Sequence, residues 1–291
     1  MIILKLLAFG EILWDVYPEE KHIGGAPFNF ASHCARQGAE AYLLSAVGND
    51  ALGKEAVGTA NLFGIKTDYV SVLSQKETGK CVVTLDENKI PSYELMTDVA
   101  YDFIEFPEDD GFDLLYFGTL ALRQEHNRKI VRNIIKKNVC KKIISDVNVR
   151  NPFCSKESLM IALENANYLK VSDEEMGYVS ESILGKEFFD ATEFAEKLSE
   201  KFSNLELIIL TFGENGSGVY DCINKKEYRC KAHKTQVVSS VGAGDSFAAS
   251  FVVALHKGLD IMKCLEIASR VSSFVVSKKE AVPRYDISDF I

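Results

Sequence analysis

Residues 142–171 read KIISDVNVRNPFCSKESLMIALENANYLKV, a short apolar run, a stretch patterned like a helix, and a second short apolar run. The outer runs, 142–146 and 168–171, are too short for helices and rich in residues that pack well on a pleated surface. Between them, 156–165 carries apolar side chains at helical spacing. Strand, helix and strand in that order form the repeating unit of a parallel sheet.

The same rhythm extends both ways. Strands are expected at 2–9, 40–47, 114–117 and 205–211, and helices at 27–37, 54–63, 125–138 and 192–202. Two long helices, 245–257 and 261–279, follow near the C-terminus. Strands that are apolar throughout must be covered on both faces, so the pattern predicts an α/β fold with a mostly parallel sheet between two helical layers. One region breaks the pattern: from 70 to 96 three short alternating runs stand too close together for helical crossovers. They read as an antiparallel extension, a small lid formed from roughly residues 15–25 and 70–97 on one domain spanning 1–291. A further hairpin is expected at 218–220 and 227–230.

Composition narrows the function. The chain has 291 residues, 33 basic and 42 acidic, for a formal net charge of −9. That charge repels nucleic acid and anionic membranes at long range, so neither is expected as a partner. An anionic ligand must then be held locally, by backbone amides, a metal ion or a few basic side chains. No apolar run approaches the roughly 18 residues needed to span a bilayer, and the apolar start at 2–9 reads as a core strand rather than a leader. Seven cysteines with no C-x-x-C spacing suggest neither a zinc site nor a disulfide framework, which fits a reducing cytoplasm.

Four glycine-rich stretches could carry chemistry. In 238–247, VSSVGAGDSF, a small-residue loop runs into a helix whose first turn holds a carboxylate. Amides at that helix start can bind an anion, and Asp245 could take a proton from an attacking hydroxyl. Asp245 could equally cap the helix, which from residue type alone is the commoner role. In 24–29, GGAPFN, paired glycines allow close approach of a ligand, Pro27 suits a first helical turn, and Asn29 offers a donor and an acceptor. Asp15, beyond the first strand, could hold two hydroxyls; an ordinary turn with polar surface residues is the alternative. The third, 48–54, GNDALGK, imitates a phosphate-binding loop, but Glu55 stands where a Mg²⁺-binding hydroxyl is required, so it is rejected. In 213–218, GENGSG, the glycine spacing is wrong for a dinucleotide fingerprint and suits a hairpin turn, placed so that it could lie against phosphates.

Taken together, these segments resemble the ribokinase/PfkB carbohydrate-kinase family, in particular its fructokinase-like members. Residues 24–56 are similar to the family's N-terminal signature and 240–251, SVGAGDSFAASF, to its C-terminal one; TGKCVVTLDENKIPSYEL, GTLALR, DVNVR, KVSDEE and TFGENGSG match between them in order. The resemblance implies a ribokinase-like fold and ATP- and Mg²⁺-dependent phosphorylation of a primary hydroxyl of a small neutral sugar. It makes Asp245 the general base and the amides of Gly242, Ala243, Gly244 and Asp245 the anion hole. It places Asp15, Gly25, Asn29 and Arg123 on the sugar, and Ser172, Thr211, Gly213, Glu214, Gly216, Gly244 and Ser269 on ATP. Glu175 is implied to act on Mg²⁺ through water, and the lid to pair in a homodimer.

Departures from the pattern also count. Ser239-Ser240 replaces the usual Asp-Thr, and Glu280-Ala281 a frequent Gly-Ala, near a monovalent-cation site of relatives; losing a carboxylate there weighs against activation by K⁺. Fructose, giving fructose 6-phosphate, is the expected acceptor, with 2-keto-3-deoxygluconate or ribose as alternatives. A catalytically inactive, kinase-shaped binding protein is the rival of another class.

Overall fold

The computed structural model describes residues 3–85, 91–107 and 111–291. In chain order its first half runs β1 Lys5–Phe9, β2 Leu13–Val16, β3 Lys21–Gly24, α1 Ala26–Arg36, β4 Glu40–Gly48, α2 Ala51–Leu62, β5 Val70–Leu73, β6 Gly79–Leu85, β7 Pro91–Leu95 and β8 Phe112–Gly118. Then follow α3 Glu125–Lys136, β9 Cys140–Asp146, α4 Lys156–Asn165, β10 Tyr168–Ser172, α5 Asp173–Val179 and α6 Ala191–Lys201. The last elements are β11 Leu207–Thr211, β12 Ser217–Asp221, β13 Lys226–Cys230, α7 Ala243–His256 and α8 Ile261–Val276.

Nine strands form the large sheet in the order β13-β12-β11-β10-β9-β8-β1-β4-β5. From β5 to β11 every pairing is parallel; β12 and β13 extend it as an antiparallel hairpin. Strand β1 shows why the sheet is covered twice. Leu7 and Phe9 join the core that packs beneath α3 to α6, while Leu6 and Ala8 join the core beneath α1, α2, α7 and α8. Alternate side chains of one apolar strand thus serve both faces, which only a helix–sheet–helix sandwich satisfies.

A second sheet, β3-β2-β6-β7, lies apart from the first. Its two outer pairings are antiparallel and its central β2–β6 pairing is parallel. The sequence places 70–73 in this lid, whereas Val70–Leu73 pairs in parallel with β4 and edges the large sheet. The reason is α2: a twelve-residue helix between β4 and β5 supplies the crossover that a parallel pair needs. Residues 86–90 of the expected lid lie outside the described residues.

The stretch that imitates a phosphate loop is a structural corner. Asp50 caps α2 by accepting the Gly53 N–H at 2.7 Å, and its other oxygen accepts the Thr78 N–H at 2.9 Å. Thr78 Oγ1 in turn accepts the Gly48 N–H at 3.0 Å, so these amides tie the start of β6 to the large sheet. Glu55 forms an ion pair with Lys21 of the lid.

Candidate active site

Asp245 does not cap its helix. Helix α7 follows Gly242, whose φ of +80° lies in the left-handed region, and no side-chain cap is made. The first helical bond runs from Ser246 N–H to Gly242 O at 2.9 Å. Amides before it have no acceptor within the helix. That of Ala243 turns back to Ser240 O at 3.2 Å, which leaves those of Gly244 and Asp245 at the open helix end. The Asp245 carboxylate instead accepts from Asn29 Nδ2 at 2.8 Å. Burial, joined by the charge of Asp146, pushes its pKa up to about 7, against the pull of Asn29, Lys170 and Arg150. A buried carboxylate near neutrality is a competent proton acceptor at physiological pH.

The Gly24-Gly25 turn brings Asn29 to this point. Gly25 has φ +107°, and a Cβ there would stand 2.3 Å from the Glu11 carbonyl oxygen, so only glycine fits. Glu11 accepts the Ala26 N–H at 3.3 Å, and burial pushes its carboxyl up to about 7, against its backbone hydrogen bonds. Glu11 Oε2 and Asn29 Oδ1 are buried without a partner among the described residues. Unpaired buried acceptors beside a carboxylate are the environment that hydroxyl donors of a bound ligand would complete. Asp15, half-buried in β2, lies opposite His22 of β3 and Cys81 of β6. Burial raises its carboxyl as well, with His22 and Arg150 opposing.

On the other side, Lys170 of β10 reaches both oxygens of Asp146 at 2.9 Å, the two side chains being 6% and 2% exposed. Although burial opposes its charge, Asp146 and Glu175 hold the ammonium above its usual range. A Cβ on Gly244 would lie 3.0 Å from Lys170 Nζ, so this cation adjoins the open amides. Glu175 accepts the Ser172 N–H and the Val149 N–H, each at 2.8 Å, and so ties the end of β10 to the loop after β9. Thr211 ends β11, and Gly213, Glu214 and Gly216 form the turn into β12 at the carboxyl edge of the sheet. Ligands in open α/β folds bind at that edge. Gly216, at φ +102°, packs against the Cys230 carbonyl, where a Cβ would stand at 2.2 Å.

Two of the expected site residues have protein partners, although Nη1 of Arg123 has none among the described residues. Arg123 binds Asp102 with Nε at 2.7 Å and Nη2 at 2.8 Å, lies against the rings of Tyr101 and Phe153, and donates to Met96 O. Its fork is engaged by a buried carboxylate that sequence spacing does not reveal. Ser269 Oγ donates to Lys231 O at 3.4 Å and is buried. Conversely, two buried charged groups at the site, Glu11 and Lys170, lie outside the sequence expectations. A lysine inside a strand buried on both faces is a signal, because such a charge persists only with a partner.

Among the described residues no group of three or more His, Cys, Asp or Glu side chains comes together to hold a metal, and no helix is long and apolar enough to cross a membrane.

Comparison with known proteins finds likenesses in sequence and in fold. Residues 6–286 match the model of the pfkB family carbohydrate kinases. A Pyrococcus horikoshii protein named as a sugar kinase is 29% identical, over 94% of this chain and 87% of that one. Its crystal structure in complex with ATP covers 98% of this chain and 99% of its own, with a TM-score of 0.79. A Salmonella typhimurium fructokinase is 25% identical over 86% of this chain and 84% of that one. The structure of a Vibrio cholerae fructokinase with fructose, ADP and calcium ion bound is 20% identical, covers 99% of both chains and superposes with a TM-score of 0.85.

Proposed function

The chain belongs to the pfkB family of carbohydrate kinases, and we propose that it transfers the γ-phosphoryl group of ATP to a primary hydroxyl of fructose, giving fructose 6-phosphate. The observation that carries this reading is the Asp245 carboxylate, free of its helix cap, held by Asn29 and placed one residue beyond Gly244 at the open helix end. Asp245 takes the hydroxyl proton as the sugar oxygen bonds to the γ-phosphorus. The bond from that phosphorus to the oxygen bridging it to the β-phosphate breaks, and ADP leaves. The amides of Gly244 and Asp245, with Gly242 setting their direction, stabilise the charge on the transferring group. Mg²⁺, when bound with the nucleotide, would supply charge neutralisation. Glu175, which holds the Ser172 and Val149 amides, would meet that ion through water.

Among the charged side chains that influence one another at the site, Glu11, Asp15, Asp146 and Asp245 outnumber Lys170 and Arg150. A neutral polyol meets less repulsion there than a phosphorylated or acidic one. The second reading, 2-keto-3-deoxygluconate, rests on Arg150, an exposed cation whose field reaches Glu11, Asp15 and Asp245 and could receive a carboxylate. A coupled ADP-release assay with Mg²⁺–ATP and fructose, ribose, 2-keto-3-deoxygluconate or a nucleoside separates these, with the highest kcat/KM expected for fructose. Tight binding of ATP and sugar with no turnover would instead favour an inactive binding protein.

A further inference from the structure

Asn29, His33 and Gln37 recur every four residues along α1 and its C-terminal cap, and all three are buried. Three polar side chains on one buried helical face need partners. Asn29 holds Asp245. His33 reaches Ala281 O with Nε2 at 3.0 Å and Tyr285 Oη with Nδ1 at 2.9 Å. Gln37 Nε2 donates to Tyr285 Oη at 3.1 Å and to Ser250 Oγ at 2.8 Å, and Ser250 donates to Ser246 O in α7. The partners fix every proton in the chain. A carbonyl only accepts, so His33 Nε2 carries the hydrogen and Nδ1 accepts from the tyrosine hydroxyl, whose oxygen accepts from Gln37. Burial holds the imidazole down to about 4, so this neutral tautomer persists at working pH.

The Ala281 carbonyl has a second neighbour. A Cβ on Gly242 would lie 2.6 Å from its oxygen, so this peptide packs directly against the glycine that starts α7. We propose that His33 is a positioning residue for phosphoryl transfer: by fixing the Ala281 carbonyl against Gly242 it sets the direction of the open Gly244 and Asp245 amides. Asn29, one turn earlier on the same helix, sets the base. Both halves of the reaction centre thereby take their position from one rigid element. The proposal rests on the kinase reading given above.

The test replaces His33→Phe, which keeps an aromatic ring beside Tyr285 and removes both hydrogen bonds, and His33→Gln, which can still donate to Ala281. Misplacing reacting groups by about 1 Å costs on the order of 10²-fold in rate. His33→Phe is therefore expected to lower kcat ~10–100-fold with KM for sugar and ATP changed less than about threefold, and His33→Gln to recover much of the loss. A kcat within about twofold of wild type, or a KM rising as far as kcat falls, would overturn the proposal. If His33→Phe is unfolded at the assay temperature, Tyr285→Phe decides: kcat down ~3–10-fold at unchanged KM supports the role, and unchanged kcat refutes it. Wild-type protein assayed alongside keeps the two readings apart. No wild-type turnover on any sugar removes the kinase reading and this role with it, whereas wild-type turnover with unaffected variants removes only the role.

Discussion

Asn29 Nδ2 donates to Asp245 Oδ2 at 2.8 Å, a bond that joins residues 216 positions apart and ties α1 to α7 at the centre of the site. The bond engages one carboxylate oxygen, and the side chain makes no cap to its own helix. Asp245→Asn preserves size and can still accept from Asn29, but cannot take a proton. Loss of a general base typically costs ~10²–10⁴-fold, so kcat should fall by at least that much while calorimetry shows ATP binding retained. Turnover near wild type would remove Asp245 from the mechanism.

The same carboxyl links stability to pH. Its folded pKa of about 7 stands above the ordinary 3.8 because burial disfavours the charged form. The unfolded chain therefore releases this proton first, and the contribution of the neutral carboxyl is complete below about pH 4 and lost as pH rises through about 7. Asp245→Asn lacks that loss. Denaturant titrations should find wild type and variant equal near pH 4 and the variant more stable at pH 8, by on the order of a few kcal/mol. In wild type kcat should rise with pH across the same region, as the base ionises.

How much of this was legible depends on whether a feature carries its own partner. Strands β1, β4 and β8 to β11 are marked by apolar runs that must be covered on both faces, so each segment declares its environment alone. Val70–Leu73 does not. Its alternation suits either sheet, and only pairing with β4 decides. That Asp102, twenty-one residues earlier, holds two nitrogens of Arg123 and leaves Nη1 unpaired among the described residues is likewise set by tertiary contact alone. Residue type alone leaves the Asp245 carboxylate divided between cap and base, whereas the structure shows no side-chain cap and a bond from Asn29. Glycine-rich loops were legible in position, whereas which amide stays open at Gly244 and which turns back at Ala243 is set by one backbone turn.

Lys170 and Asp146 test the charge balance beneath the loop. The pair is almost fully buried, so removing one partner strands the other in a poorly solvating interior. Lys170→Met should destabilise the fold by about 3–5 kcal/mol, and adding Asp146→Asn should restore part of that loss. The measurement is a double-mutant cycle by denaturant unfolding. Equal and additive losses would mean that the two groups do not depend on each other.

Two glycines should respond oppositely to alanine. At Gly25 the added Cβ would stand 2.3 Å from the Glu11 carbonyl oxygen in a backbone conformation, φ +107°, that alanine rarely adopts. Neither atom is the end of a flexible side chain, so the turn itself must shift, and α1 with it. Strain of this kind costs roughly 1–3 kcal/mol, and displacement of Asn29 should lower kcat beyond what the stability loss explains. Gly58, inside α2, has nothing within 4 Å of its added Cβ and no unusual φ. There alanine only reduces the freedom of the unfolded chain and improves helix propensity, for a gain of about 0.5–1 kcal/mol. Melting curves and turnover of Gly25→Ala and Gly58→Ala, measured side by side, should show the first variant less stable and slower and the second more stable with unchanged kcat. A Gly25→Ala enzyme as stable and as fast as wild type would mean that the turn before α1 does not position Asn29.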